Sequence, residues 1–283
     1  MSEPEKILFY KQTRKNIIGL GICLILFITG FVIPGNIAIY LNLSGLMIVI
    51  GGTLGAAFLG YHMNRIEILL KVLKTAYGSE TIAPEEVVKI LVKLSVRRKL
   101  KGVLALQADE DQTTIAFLKQ AIGLFVDGCS KEQIKDTLSA EMYFFRMRRD
   151  GTLRVLQTMA DVSPCFGLVG SVVGIIGMLA GGGDPVVIMK TIPVALTSTL
   201  YGLIFTNFLF LPFEAKIRER TVKELFLQKI ITEGILAISD ELHPRLLGRK
   251  LNSFLTPSDR HRFFVSLKKE KNEIQVETLR ETA

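Results

Sequence analysis

Two stretches of this chain admit no charged side chain: Val162 to Gly183 and Thr191 to Phe213 contain no Asp, Glu, Lys or Arg. Each exceeds the roughly 20 residues that an α-helix needs to cross the hydrocarbon core of a bilayer. Only a short Gly-rich turn and a few more residues separate them. The pair reads as a transmembrane helical hairpin, and the rest of the chain has to be arranged around it.

The make-up of the hairpin restricts its surroundings. Pro164 and Pro212 lie inside or at the ends of the spans, and Ser171, Thr197, Ser198, Thr199, Thr206 and Asn207 lie along them. Hydroxyl and amide groups gain nothing against lipid tails, so they are expected to face other helices or a wet pathway. The first helix carries Gly167, Gly170, Gly174 and Gly177. Of these, Gly170 and Gly174 form a small-xxx-small pair that lets backbones approach closely.

A mean hydropathy of +0.37 alongside 35 Lys and Arg and a net charge of +8 fits apolar spans separated by basic cytoplasmic segments. It does not fit a nucleic-acid binder, which would interleave basic and aromatic residues on one folded face. Cys23, Cys129 and Cys165 fall in three different segments, so neither a disulfide framework nor metal-ligand spacing follows. The three histidines, His62, His243 and His261, are scattered, and no nucleophile–base spacing points to an enzyme.

From its beginning, the chain has a short polar leader ending in Lys11, Arg14 and Lys15, then a charge-free run from Asn16 to Tyr61. That run is too long for one crossing, and Pro34-Gly35-Asn36 is a turn signal in its middle. It splits into a span near Ile17 to Ile33, read as an uncleaved helix rather than a signal peptide, and a second near Ile39 to Tyr61. The turn at Pro34 to Asn36 is uncharged and the turn at Gly181 to Pro185 holds only Asp184, whereas leader, middle segment and tail are rich in Lys and Arg. The positive-inside rule then puts both termini and the middle segment in the cytoplasm. Within the second span, Gly51-Gly52-Thr53-Leu54-Gly55-Ala56 has neither a preceding strand nor a following Lys-Ser/Thr pair, so it reads as close helix packing and not as a phosphate loop.

The middle segment, His62 to Thr152, reads as helical throughout. Pro84 suits a first helical position, Glu85 and Glu86 a first turn, and Arg97, Arg98 and Lys99 a helix end. Val87, Ile90, Leu91 and Leu94 recur at helical spacing. Ser130 with Gln133 is a capping box, and Gly78 and Gly128 mark helix ends. Arg97, Arg98, Lys99 and Lys101, followed by Asp109, Glu110 and Asp111, have two readings: solvated helix ends, or a docking surface presenting both signs to a cytoplasmic partner. Beyond the hairpin, helical periodicity continues to Ser239. Pro244 is expected to close that helix, a shorter one runs over Arg245 to Leu255, and Asp259 to Ala283 is a charged tail.

Several segments resemble the flagellar stator A-subunit (MotA) branch of the MotA/TolQ/ExbB superfamily. Asn42-Leu43-Ser44 with Leu46 through Ala56 is similar to its second-span signature, and Met159-Ala160-Asp161 with Pro164 through Gly170 to its third. Asp184-Pro185, Val194 through Gly202, and Ile231 through Ile238 with Pro244 follow in order. The resemblance covers nearly the whole chain, and the two short early spans and the tail motif favour the MotA branch over the three-span TolQ and ExbB proteins.

The resemblance implies an all-α, polytopic membrane protein with four transmembrane helices and a helical cytoplasmic domain. Its organisation is a leader over 1–16, spans one and two over 17–61, and a rotor- or load-facing helical domain over 62–153. Pore-lining spans three and four follow over 154–213, and a helical extension and tail over 214–283. It further implies a homo-pentamer in the bacterial inner membrane around a dimer of B-type (MotB-like) subunits. Ion flow at the A–B interface turns the ring against a FliG-like rotor protein. No carboxylate sits at membrane depth in either hairpin helix, so the ion-binding acid has to come from another chain, which the family supplies as an Asp of its B subunit.

By the same resemblance the ion path takes Pro164 and Pro212, the two required prolines, with Ser171 seven positions after the first and Thr197, Ser198 and Thr199 in the fourth span. Each hydroxyl also has a plain alternative, a bond to its own i−4 carbonyl. The carried ion is a proton or sodium, and no resident cofactor or metal is implied. The rotor-facing motif departs from the family pattern. Gly102-Val103-Leu104-Ala105-Leu106 is followed by Gln107 where Glu is usual, Lys99 stands where Arg is common, and Pro193 is an unusual start to the fourth span. A second reading, an ExbB/TolQ-like energiser of envelope transport or another non-flagellar motor, shares the channel but not the load.

Overall fold

The computed structural model of the chain describes residues 19, 21–33, 35, 40–78, 82–103, 106, 113 and 115–256. Among these, regular structure is entirely helical. An apolar helix α1 (Gly21–Val32) is followed by α2 (Leu43–Gly60), α3 (Met63–Gly78), α4 (Pro84–Lys101) and α5 (Ala116–Val126). Then come α6 (Lys131–Ala180), α7 (Pro185–Ile204), a π-helical turn (Phe205–Phe210), α8 (Leu211–Ser239) and α9 (Pro244–Asn252). The described residues form two compact units, one made of those that fall within 1–61 and 157–211, the other of those within 62–156 and 212–283.

Among the described residues, three helices are long and apolar enough to cross a membrane: Leu43–Gly60, Lys131–Ala180, and Pro185–Ser239 counted through the π turn. Helix α1 is apolar but shorter, and Ile17, Ile18 and Leu20 of the first expected span, with Pro34, lie outside the described residues. At 1.5 Å per residue the 50 residues of α6 extend about 75 Å, more than twice what a bilayer core requires. Sequence divides that helix. Its first part carries the charges of Lys131 to Asp161, and none follows to its end.

In the first unit, burial runs opposite to a water-soluble protein. Leu168, Val172, Ile176, Leu179 and Leu196 are each more than half exposed, while Ser163, Thr197 and Ser198 are buried. Apolar side chains outward and hydroxyls inward is the arrangement lipid demands. Asn42 caps α2, its Oδ1 accepting from the Gly45 N–H at 3.0 Å, as short polar side chains do where the first amides lack partners. The Tyr201 hydroxyl donates to the Tyr40 carbonyl and accepts from the Asn42 N–H at 2.8 Å, tying this cap to α7. Phe27 of α1 stacks at 4.7 Å on Phe208 of the π turn and meets Phe31 at 5.1 Å.

The second unit has an ordinary apolar core. Val87, Leu91 and Leu94 of α4 are buried against Leu118 and Ile122 of α5, Ile134 and Leu138 of α6, Ile231, Ile235 and Ile238 of α8, and Leu247 and Leu251 of α9. Each such side chain contributes about 1.5–3 kcal/mol when fully buried. The expected capping box is present: Ser130 N–H donates to Gln133 Oε1 at 2.8 Å and Gln133 N–H to Ser130 Oγ at 3.3 Å. Pro84 occupies the first turn of α4, Gly78 ends α3, and Gly128 takes φ +77° just past α5.

Pro244 differs from expectation. It opens α9, behind an N-cap in which His243 Nδ1 accepts from the Arg245 N–H at 3.2 Å, and does not close α8. Helix α8 stops at Ser239, and two residues later Glu241 adopts φ +57°. A left-handed residue reverses the chain there, and glutamate offers no sequence signal for it.

Candidate functional site

The centre of the first unit is the contact between the charge-free half of α6 and α7. Gly167, Gly170, Gly174 and Gly202 are buried there, and each stands where a side chain would collide with the facing helix. A Cβ on Gly174 would lie 2.7 Å from the Ala195 nitrogen, one on Gly167 3.0 Å from the Ser198 carbonyl oxygen, and one on Gly202 2.7 Å from the Ser163 carbonyl oxygen. The absence of side chains at these positions brings the two backbones together, the packing small residues permit between membrane helices. Helix α2 joins through Gly45, where a Cβ would sit 2.6 Å from Ser198 Oγ, and Gly52 accommodates the ring of Phe166. Of the glycines in the Gly51 to Ala56 run, Gly52 alone is such a packing feature; Gly51 and Gly55 have nothing within 4 Å of where a side chain would begin, short of the close packing expected for the whole run.

Close approach puts Ser171 and Thr199 in hydrogen-bond contact, Oγ to Oγ1 at 2.6 Å. Ser171 Oγ also donates to the Ala195 carbonyl and lies 3.3 Å from the Gly167 carbonyl, which Thr199 Oγ1 approaches at 3.4 Å. Two hydroxyls therefore share two protons among two carbonyls and each other. A hydroxyl has one donor and two acceptor lone pairs, so the cluster presents oxygens that suit either a hard cation or a relayed proton. Thr197 and Ser198 take the plain alternative. Their hydroxyls donate to the Pro193 and Val194 carbonyls one turn back, each at 2.6 Å, and both residues are buried.

Pro164 sits inside α6 and is half-buried against Gly202. Without an N–H it leaves the Ala160 carbonyl without its usual intrahelical donor. Thr206 Oγ1 fills that place, donating to the Ala160 oxygen at 2.8 Å, while Ser163 Oγ donates back to the Gly202 carbonyl at 3.3 Å. Thr206 belongs to the π turn, where the wider register re-aims side chains, and Pro212 is the second residue of α8 immediately beyond it. Such bulges are frequent at functional positions and, like prolines, are where helices kink. The sequence puts Thr206 in the fourth span but does not pair it with Pro164. The signal was available in principle, since a mid-helix proline always orphans its i−4 carbonyl.

The expected docking residues separate. Arg97 and Lys99 are exposed on α4. Arg98 is half-buried and committed inside its unit. It donates to the Ile238 carbonyl, pairs with Glu241 at 3.0 Å, and stacks 5.2 Å from the Phe125 ring centroid. Arg98 therefore secures the end of α8. Lys101 is the last residue of α4, and Gln107, Asp109 and Glu110 lie outside the described residues. Among the described residues no group of His, Cys, Asp and Glu is placed to hold a metal.

Charge-free helix segments in glycine contact, hydroxyls inward and aliphatic side chains outward, define a helical membrane protein with a polar interior seam. Comparison with known proteins places it more narrowly. Residues 109–229 match the MotA/TolQ/ExbB proton channel family. Motility protein A of Borreliella burgdorferi is 30% identical over 242 residues, covering 86% of this chain and 93% of that protein. The chemotaxis protein PomA of Vibrio alginolyticus is 28% identical, covering 82% and 91% of the two chains. A chain of the C. jejuni MotAB structure aligns with a TM-score of 0.79 at 25% identity, covering 86% of this chain and 96% of that one. The chain belongs to the MotA/TolQ/ExbB proton channel family, in line with the resemblance drawn from its motifs.

Proposed function

We propose that the chain is the A-type subunit of an ion-driven stator, forming a channel with a B-type partner and converting ion-motive force into torque on the flagellar rotor. The Ser171–Thr199 cluster carries this reading: paired hydroxyls at a glycine-packed seam, in helices that hold no carboxylate of their own at membrane depth. Oxygen lone pairs can pass a proton or help desolvate a sodium ion, but a carrier that binds and releases charge needs an acid. The partner's intramembrane Asp supplies it. No covalent catalysis is involved, and the ion, H+ or Na+, is cargo and not a resident cofactor.

In this reading the chain crosses the inner membrane four times with both termini in the cytoplasm, and five copies surround a B dimer. Segments 17–61 and 154–213 contain the four spans; 62–153 and 214–283 are cytoplasmic. Pro164, Ser171, Thr197, Ser198, Thr199 and Pro212 border the ion path. Exposed Arg97 and Lys99, with Lys101, Gln107, Asp109 and Glu110, face the FliG-like load. Homology to motility proteins over most of the chain favours the flagellar load over envelope transport.

The test is Pro164→Leu in cells that depend on this chain for swimming. Expected is loss of motility with the protein still membrane-bound and still co-purifying with its B-type subunit. Unimpaired swimming would overturn the role given to Pro164.

A further inference from the structure

The second unit contains a cavity of about 790 Å³ that the stator reading leaves without a role. One face of α6 forms its main wall, residues 143, 146, 147, 150, 151 and 154 recurring at helical spacing, and α3 contributes Arg65 and Ile68 opposite. Four arginines line it, Arg65, Arg146, Arg148 and Arg154, against one carboxylate, Asp150. Asp150 lies 3.8 Å from Arg146 and is half exposed, a weak pairing, so arginines outnumber carboxylates in the lining four to one. Arg65 is accommodated by the helix it faces. A Cβ on Gly151 would lie 2.6 Å from Arg65 Nη1, so the missing side chain is what lets the guanidinium lie against α6. Glycine in a helix interior costs about 1 kcal/mol against alanine, so its place here needs a packing reason.

The cavity is also apolar. Ile68, Tyr143 and Met147 line it and are each about half exposed or more. Position along the chain completes the picture. Arg65 stands four residues after Tyr61, which follows the apolar helix α2, and Arg154 stands eight residues before the charge-free part of α6 begins, about 12 Å along its axis. Cations beside aliphatic and aromatic surface, next to the ends of membrane spans, match the two halves of an anionic lipid: phosphate for the guanidinium forks, glycerol and acyl carbons for the apolar wall. Four arginines against one acid disfavour a cationic peptide, and the apolar lining disfavours a freely hydrated phosphate.

We propose that this pocket binds the phosphate headgroup of an anionic phospholipid from the cytoplasmic leaflet. The inference rests on the membrane placement of α2 and α6 but not on ion conduction. The full-length chain, purified in mild detergent, is titrated with phosphatidylglycerol and with phosphatidylcholine, and bound lipid is counted by native mass spectrometry. Phosphatidylglycerol is expected to bind the more tightly. Each arginine near a lipid surface contributes about fivefold, so Arg146→Gln with Arg154→Gln should weaken phosphatidylglycerol about 25-fold and leave phosphatidylcholine unchanged. Arg146→Lys with Arg154→Lys, which keeps the charge, should lose far less, and Gly151→Leu, which keeps every arginine, should weaken binding by displacing Arg65. Equal affinity for the two lipids, or an unchanged double Gln variant, overturns the proposal. So does full displacement by millimolar inorganic phosphate, which would identify a soluble ligand. Cross-linking between copies through Arg146→Cys at unchanged efficiency in excess phosphatidylglycerol also overturns it, by assigning the pocket to a second copy of the chain.

Discussion

At the residue scale, the pairing of Thr206 with the carbonyl orphaned by Pro164 gives the sharpest expectation. Thr206→Val should cost about 1–2 kcal/mol, the range of a membrane hydrogen bond, read by thermal unfolding in detergent. A Pro164→Ala background restores a backbone N–H for the Ala160 carbonyl, so the same Thr206→Val change should cost close to nothing there. Additive losses would show that Thr206 does not serve that carbonyl. Glu141 gives a second expectation. Burial raises its carboxyl above the usual range, with Arg148 opposing, and its Oε2 has no hydrogen-bond partner. A folded-state value above the unfolded one means that stability falls as pH rises from the ordinary Glu range through the raised value. Glu141→Gln should therefore raise the melting temperature at neutral pH and have no such benefit below pH ~4, where wild-type Glu141 is protonated. At this scale the sequence was informative about residue types and poor at partners. Ser171, Thr197, Ser198 and Thr199 were all legible as inward hydroxyls, but only the fold distinguishes Ser171 and Thr199, which bond across helices, from Thr197 and Ser198, which bond back to their own.

At the scale of elements, the hairpin depends on glycine contact. Gly174→Val would force its branched side chain against the backbone of Ala195 and should destabilise by about 1–3 kcal/mol, measured by thermal unfolding or by loss of detergent-extractable protein. The end of α8 depends on Arg98. Its removal leaves the Ile238 carbonyl and Phe125 ring without their cation, and Arg98→Ala should cost about 1–3 kcal/mol, where Lys99→Ala on the exposed side of α4 should cost little. Charge reversal at Arg98 is therefore a poor probe of rotor docking; Arg97 and Lys99 serve better. Helix α9 is attached partly through Glu233, whose carboxylate hydrogen bonds to Lys250 and Lys229 hold its pKa below the usual range. A depressed folded-state value contributes stability above the unfolded pKa and loses it as pH falls through the depressed one. Amide exchange in α9 should quicken over that acid range, and Lys250→Ala should remove part of the dependence. The capping box at Ser130 and the proline at Pro84 were readable because they satisfy amides within one turn. The end of α8 at Ser239 was readable from the periodicity, but the reversal that follows it was not, because Glu241 has no intrinsic preference for the left-handed backbone it adopts.

At the scale of the molecule, the long charge-free runs determined the membrane character, because length and charge alone decide whether a helix can lie in lipid. Hydropathy could not foresee that one 50-residue helix would carry both the charged stretch from Lys131 and the span ending at Ala180. Nor could it find the arginine-lined cavity, whose wall combines Arg65 with residues of α6 far along the chain. If this chain walls an ion path whose titratable acid another subunit donates, ion flux into liposomes will show it, comparing the chain alone, the chain with its B-type partner in an open form, and the same complex with the partner's intramembrane Asp replaced by Asn. Flux is expected only in the second case; conduction by the chain alone, or by the Asn complex at an undiminished rate, would contradict it.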